Sequence, residues 1–318
     1  MKNLLFSSVS LVPFSFLFPN VSLANEKPAT IKIETTIPYL TDLVKKASCD
    51  SKSFQIENII SVGNDPHTFH MTPSNRIAIA KADVIISVGS GLEPWISKIQ
   101  KNKNQTWFTV TENMSLTKLD NNHDHNHDHN QDHDHETKEH NHLEYDPHIW
   151  QSPKLTKEAL LKISNLLIKL KPEEEKNINT CTQDYIHKIE VEVKELKKQI
   201  ETIPKEKRVF ATNHDALGYF ADEFGFKMKS IVGLSDEASP TPAQLKDIIM
   251  QIKKENIKAL FLESTGNMRN IKTVSKETGV KIGGTLYSDS LGTKGSGAET
   301  APEMWKTNVS TILNALKK

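Results

Sequence analysis

Residues Pro172–Ile203 read PEEEKNINTCTQDYIHKIEVEVKELKKQIETI, and this stretch decides how the rest of the chain is divided. Ile186, Ile189, Val193, Leu196 and Ile200 recur at three- and four-residue spacings, with Glu and Lys on the other faces. That period belongs to an amphipathic helix. A second helical pattern runs up to it from about Lys154 and stops at Lys171-Pro172, where proline ends a helix at the residue before it. At 1.5 Å per residue the long helix spans about 45 Å. Its length and its place in mid-chain suit a rigid spine crossing between two lobes. An ordinary surface helix would carry the same stripe.

Outward from this joint, short β-branched runs alternate with helical segments, the pattern of stacked βαβ units and parallel sheets. The first half offers strands at Ile31–Ile37, Phe54–Ile60, Asp83–Val88 and Thr106–Thr111. The second offers Arg208–Asn213, Met228–Val232, Ile257–Glu263 and Val280–Tyr287. Helices are expected between them at Tyr39–Ala47, Pro73–Ala80, Thr241–Lys254 and Asn270–Thr278, with Pro73, Pro242 and the Asn270 region as starts. The expected fold is α/β: two lobes, each a four-stranded, mainly parallel sheet flanked by helices, joined by the long helix. The lobes would occupy residues 25–171 and 204–318, with 172–203 as the link.

The first 24 residues read as a secretory signal peptide: Met1-Lys2, an apolar run from Leu4 to Phe18, then Ser22-Leu23-Ala24. The apolar run, about 15 residues, falls short of the roughly 20 a membrane span needs. Asn25 follows the expected cut, so a lipid anchor there has no cysteine acceptor, and a soluble monomer in the periplasm is expected. Forty basic and forty acidic side chains cancel, so no global field points to nucleic acid. The two cysteines, Cys49 and Cys181, lack the paired spacing of a metal site. Export permits a disulfide between them; two buried thiols are the alternative.

Residues Asn121–His142 alternate His with Asp and Asn and hold eight of the thirteen histidines: His123, His125, His127, His129, His133, His135, His140 and His142. The segment is too polar to bury and is expected as a loop. Closely spaced exposed imidazoles form weak, exchangeable metal sites; a solvated spacer is the plainer reading. Five histidines remain. His67 follows the second strand within Asp65-Pro66-His67, and His148 follows the loop within Asp146-Pro147-His148. His214 directly follows the strand ending at Asn213, and Asp289 follows the last strand. Ligands of open α/β sheets bind outside the carboxyl ends of the strands, so these four are expected on one rim, two from each lobe. Three imidazoles and a carboxylate fill the four positions Zn²⁺ prefers. Proline would stiffen the two Asp-Pro-His turns. Glu263, ending a strand, is a candidate to hold a ligand imidazole by its other N–H, with Asp65, Asp146 and Asp215 as similar candidates. His70 could be a spare ligand, though a surface role or one behind the ligands fits it better, and His187 reads as an exposed residue of the long helix.

The same blocks carry a resemblance. Gly63-Asn64-Asp65-Pro66-His67-Thr68-Phe69, Asp146-Pro147-His148-Ile149-Trp150 and Asn213-His214-Asp215-Ala216-Leu217-Gly218-Tyr219-Phe220 are similar to the three His-bearing blocks of the cluster A-I binding proteins, the zinc/manganese receptors of ABC importers. Gly283-Gly284-Thr285-Leu286-Tyr287-Ser288-Asp289-Ser290-Leu291 resembles their Asp-bearing block. The resemblance implies a two-lobed fold with a rigid linking helix, small hinge motion, and His67, His148, His214 and Asp289 as ligands. It implies the permease of an inner-membrane ABC importer as partner. Where the manganese branch usually has Glu in the third block, this chain has His214, and additional imidazole suits Zn²⁺. The Tyr-Ser-Asp ending occurs in the manganese branch. The expectation is therefore Zn²⁺ capture and delivery, with Mn²⁺ or a periplasmic zinc buffer as alternatives. A hydrolase would need an open metal position and a base, and the chain has no His-Glu-x-x-His.

Overall fold

The computed structural model describes residues 30–119, 144–231 and 240–317. The expected signal peptide and the His-rich segment, with its eight histidines, lie outside them. The first half builds β1 (Ile31–Thr35), α1 (Pro38–Ala47), β2 (Phe54–Asn58), α2 (Pro73–Lys81), β3 (Val84–Ser87) and β4 (Thr106–Thr109). Two helices follow, α3 (Pro153–Leu170) and α4 (Glu175–Ile200). The second half builds β5 (Val209–Thr212), α5 (Gly218–Phe224), β6 (Lys227–Ser230), α6 (Pro242–Lys254), β7 (Ala259–Glu263), α7 (Met268–Thr278), β8 (Ile282–Leu286) and α8 (Ala301–Leu316).

Both sheets are wholly parallel and share one topology, β2-β1-β3-β4 and β6-β5-β7-β8. Helix starts follow local chemistry. Pro occupies the first turn of α1, α2, α3, α6 and α8, where its missing N–H costs nothing. Thr72 and Thr241 close reciprocal capping boxes with Asn75 and Gln244. Most strands stop one to two residues before the apolar run does. Ile37, Ile59, Ile60, Val88 and Val110 stay buried after their strands end, because the chain turns there to build the rim that carries the site. In β8, a Cβ on Gly283 would lie 2.6 Å from Ala315 Cβ and 2.7 Å from Phe261. Only a bare backbone lets α8 lie that close to the sheet.

The long helix is not a bare strut. Ile178, Thr182, Tyr185, Ile189, Leu196 and Ile200 are buried along its whole length, and it packs on α1, α3, α8 and α5. The buried stripe differs from the one read in the sequence, since Ile186 and Val193 are only partly covered. The N-terminal end of α4 is tied to the first half three times over. Cys49 and Cys181 form a disulfide with Cα atoms 5.8 Å apart. Glu174 accepts hydrogen bonds from the Ser51 and Ser53 hydroxyls at 2.9 and 2.5 Å, and Tyr185 donates to Asp42 at 2.8 Å. One apolar cluster runs from Ile33 through α4 to Leu316 and so joins both halves. A smaller one, including Ile252, Leu260, Ile271 and Val274, lies under α6 and α7. Each such buried side chain contributes about 1.5–3 kcal/mol, and a shared core resists wide separation of the halves.

Candidate metal centre

His67, His148, His214 and Asp289 meet between the two sheets. One donor atom from each lies within 4.8 Å of all the others. His148 and His214 are 0% and 1% exposed, Asp289 4% and His67 7%, so His67 stands nearest the solvent. His67 Nε2 is 3.1 Å from His148 Nε2. His214 Nε2 lies 3.0 Å from Asp289 Oδ2, and His148 Nε2 lies 3.5 Å from Asp289 Oδ1. Tetrahedral donors on Zn²⁺ bonds of 2.0–2.2 Å stand about 3.3–3.6 Å apart, so the donor set fits a small divalent ion. The two halves match in one contribution and differ in the other: β4 and β8 are equivalent edge strands, whereas β2 and β5 are not equivalent. His67 follows the edge strand β2, and His148 follows the edge strand β4 after the long insertion. His214 follows the central β5, and Asp289 follows the edge strand β8.

The repeated Asp-Pro-His is stiffened by its aspartate as well as its proline. Asp65 Oδ1 accepts the His67 backbone N–H at 2.8 Å, and Asp146 Oδ1 accepts that of His148 at 2.9 Å. From there the turns diverge. Asp146 also takes His148 Nδ1 at 2.7 Å, whereas Asp65 takes the Thr68 hydroxyl at 2.9 Å. On the other side Glu263 Oε1 accepts the His214 N–H at 2.8 Å, and its second oxygen pairs with the His214 ring at Nδ1. A carboxylate on Nδ1 fixes the ring and presents Nε2 to the ion. The four carboxylate candidates therefore separate: Glu263 and Asp146 orient rings, Asp65 holds a backbone turn, and Asp215 lies beside Asp146. His70 and His187 are exposed and stand apart from the cluster.

Charge is unevenly distributed over this site. Burial pushes the His67 imidazole down to about 4. Burial also opposes a charge on His214, but Asp289 and Glu263 together outweigh it and hold that imidazole well above its ordinary range. Asp289 is held well below the usual carboxylate range, with the opposing effect of burial overcome by His214, His148 and His67. Asp289 and Glu263 thus favour positive charge on or beside His214, in the place a cation would take.

Sequence reading missed the side chains that hold the Asp289 loop. Trp150 Nε1 donates to the Ser288 carbonyl at 2.5 Å, and Gln151 Nε2 donates to it at 2.8 Å. Trp305 Nε1 donates to the Trp150 carbonyl at 2.9 Å. Thr265 donates to Asp289 Oδ2 at 3.2 Å. The signal available was position alone: Trp150 and Gln151 sit directly after His148, and Thr265 sits just beyond β7. Across the mouth the Gly63 N–H donates to Ser290 Oγ at 2.9 Å, a direct bond from one half to the other.

Two parallel sheets around a buried three-histidine, one-aspartate cluster define a protein built to hold a metal ion between its halves. Residues 33–315 match the family model for zinc-uptake complex component A, periplasmic, and the chain belongs to that family. It is similar to the manganese-binding lipoprotein MntA of Halalkalibacterium halodurans, 27% identical over 91% of this chain and 89% of the relative. It is also similar to the metal ABC transporter substrate-binding lipoprotein SsaB of Streptococcus sanguinis, 26% identical over the full length of both. Among solved structures, the periplasmic zinc-binding protein TroA from Treponema pallidum superposes with a TM-score of 0.77. That likeness is 25% identical and covers 91% of this chain and 99% of that one. A manganese-bound periplasmic metal-binding protein from Candidatus Liberibacter asiaticus gives 0.75, at 26% identity over 90% and 100% of the two chains.

Proposed function

We propose that this receptor captures Zn²⁺ on His67, His148, His214 and Asp289 and delivers it to the permease of an ABC importer. The observation that carries the reading is the donor set: three nitrogens and one carboxylate oxygen, at spacings a four-coordinate ion needs. Manganese favours more oxygen donors, and nitrogen-rich sites favour zinc. The cargo would replace the proton on His214 and bridge residues from both halves. Release to the permease would need those halves to part by little more than a bond length. The manganese-binding names of several relatives support the second reading, a Mn²⁺ receptor on the same four residues. A periplasmic buffer without an importer would use the site identically. The proposed form is a periplasmic monomer; the relatives above are named lipoproteins. His123 to His142 are proposed as auxiliary weak sites that feed the cleft.

Metal analysis of protein purified without added metal, followed by Zn²⁺/Mn²⁺ competition, tests the assignment. One equivalent of tightly held zinc that excess manganese does not displace is expected. Retention of manganese against zinc would overturn the choice of metal and leave the four ligands standing. Tight binding by a His148→Ala, Asp289→Ala double variant would overturn the site.

A further inference from the structure

Tyr219 lies in the first turn of α5, in the second half of the chain, yet its hydroxyl serves the first half. It accepts the Thr117 N–H at 3.0 Å and donates to the Asp146 carbonyl at 3.1 Å. Thr117 and Asp146 are themselves joined, Asp146 N–H to Thr117 carbonyl at 3.0 Å, in a short antiparallel ladder that also pairs the Leu119 N–H with the Glu144 carbonyl. The phenol therefore closes a three-membered clasp of one hydroxyl and two backbone segments. Asp146 is the residue whose carboxylate holds both the backbone and the ring of His148. Its other carboxylate oxygen lies over the first turn of α5 as well, 3.4 Å from where a Cβ on Gly218 would stand. Asp146 is thus gripped from the opposite half on its main chain and closely approached at its side chain. It is 5% exposed, so water does little to soften either contact.

We propose that Tyr219 is a positioning residue for the metal: it sets the His148 imidazole through Asp146, so that the placement of one half of the molecule orients a ligand carried by the other. This rests on reading His148 as a ligand. On this account metal release and lobe movement are one event. Moving α5 away from the Thr117–Asp146 ladder withdraws the hydroxyl, frees the Asp146 turn and lets the ring leave its bonding direction. Tyr219 follows His214 closely in the chain, so the same displacement carries a second ligand with it. The geometry asks for small motion, because a hydroxyl at 3.0–3.1 Å loses both partners within about 1 Å of travel.

The test is Tyr219→Phe in the full chain, which keeps the ring and removes the hydroxyl. Loss of a group that orients a metal-bound imidazole lowers metal affinity about 10- to 100-fold. That loss is expected against a competing chelator, as faster Zn²⁺ release in stopped flow and as an altered Co²⁺ absorption spectrum. The metal-free unfolding temperature should stay near wild type. Lys197→Ala is the control, since Lys197 ties α5 to α4 through Glu223 at 2.6 Å without touching the ladder; it should leave metal binding unchanged. Wild-type affinity, release and spectrum in Tyr219→Phe would overturn the proposal, as would an equal loss in Lys197→Ala, which would assign the effect to helix docking in general. Unchanged binding in His148→Ala would instead overturn the reading of the site on which the proposal stands.

Discussion

Glu263→Gln isolates the electrostatics of the site better than deleting a ligand. Glu263 is 4% exposed and holds His214 twice, accepting the backbone N–H at 2.8 Å and pairing with ring Nδ1. Glutamine keeps the shape and one acceptor. Its amide N–H₂ would then face either the backbone N–H or the ring Nδ1–H, donor against donor. One charge-assisted hydrogen bond, worth about 1.5–3 kcal/mol, is lost. At about 1.4 kcal/mol per factor of ten, Zn²⁺ affinity should fall about 10- to 100-fold. The substitution also removes one of the two carboxylates that raise His214. In the wild type, metal must displace the His214 proton, so affinity should climb with pH throughout the range in which that imidazole is charged, about tenfold per unit for one proton. The climb levels off above the His214 value. In Glu263→Gln the levelling should come at lower pH. Burial already pushes His67 down to about 4, so His67 adds no further proton near neutrality. Calorimetry in buffers of differing ionisation enthalpy, repeated across pH 6 to 9 as a rough working window, would count the protons released. Equal affinity for the two proteins, or release of no proton at about pH 7, would refute this account of Glu263 and His214.

Glu34 in β1 is buried beside Glu57, its register partner on β2, and burial followed by that neighbour raises it to about 7. A raised carboxyl stabilises the fold fully below its ordinary value near 4.5, and that contribution is lost as pH rises through about 7. Metal-free Glu34→Gln should therefore gain stability relative to wild type on going from acid to mildly alkaline urea melts; a constant difference would argue against it. Reduction of Cys49–Cys181, which closes a sequence separation of 132 residues, should cost about 2–5 kcal/mol of stability. The bond lies away from the four ligands, so zinc stoichiometry on the reduced protein should not change; melting with and without reductant reads the first effect and metal analysis the second. Deleting residues 121–142 should lower total bound zinc while one tight site persists. Disappearance of the tight site by equilibrium dialysis would refute the division between cleft and loop.

The parts of this molecule legible in its sequence were those set by local rules. β-branched runs and proline starts located all eight strands and four of the helices between them, because each acts within a few residues; α5 and α8 were not read from the sequence. His67, His148, His214 and Asp289 were expected together for a related reason, and their donor atoms do lie within 4.8 Å of one another: in parallel sheets all strand ends of one kind lie on one rim, so a residue just past a strand has few places to go. What encloses these four residues obeys no such rule. Trp150 and Trp305 look like core aromatics, and their N–H groups acquire meaning only because α8, admitted by Gly283, lies where it does. Asp65 and Asp146 stand in identical tripeptides, yet only Asp146 reaches its ring. Asp65 gives its second oxygen to the Thr68 hydroxyl, whereas one oxygen of Asp146 takes both the His148 N–H and its ring, and no spacing records the difference. The shared core makes the same point at larger scale. A sequence stripe identifies α4 as amphipathic, but which residues it buries depends on α1, α3 and α8 arriving from both sides. The resulting continuous packing makes the two halves resist independent movement. A receptor so built can release its cargo only by a small shift shared among many contacts, which is why the single hydroxyl of Tyr219, bonded across that boundary, is placed to matter.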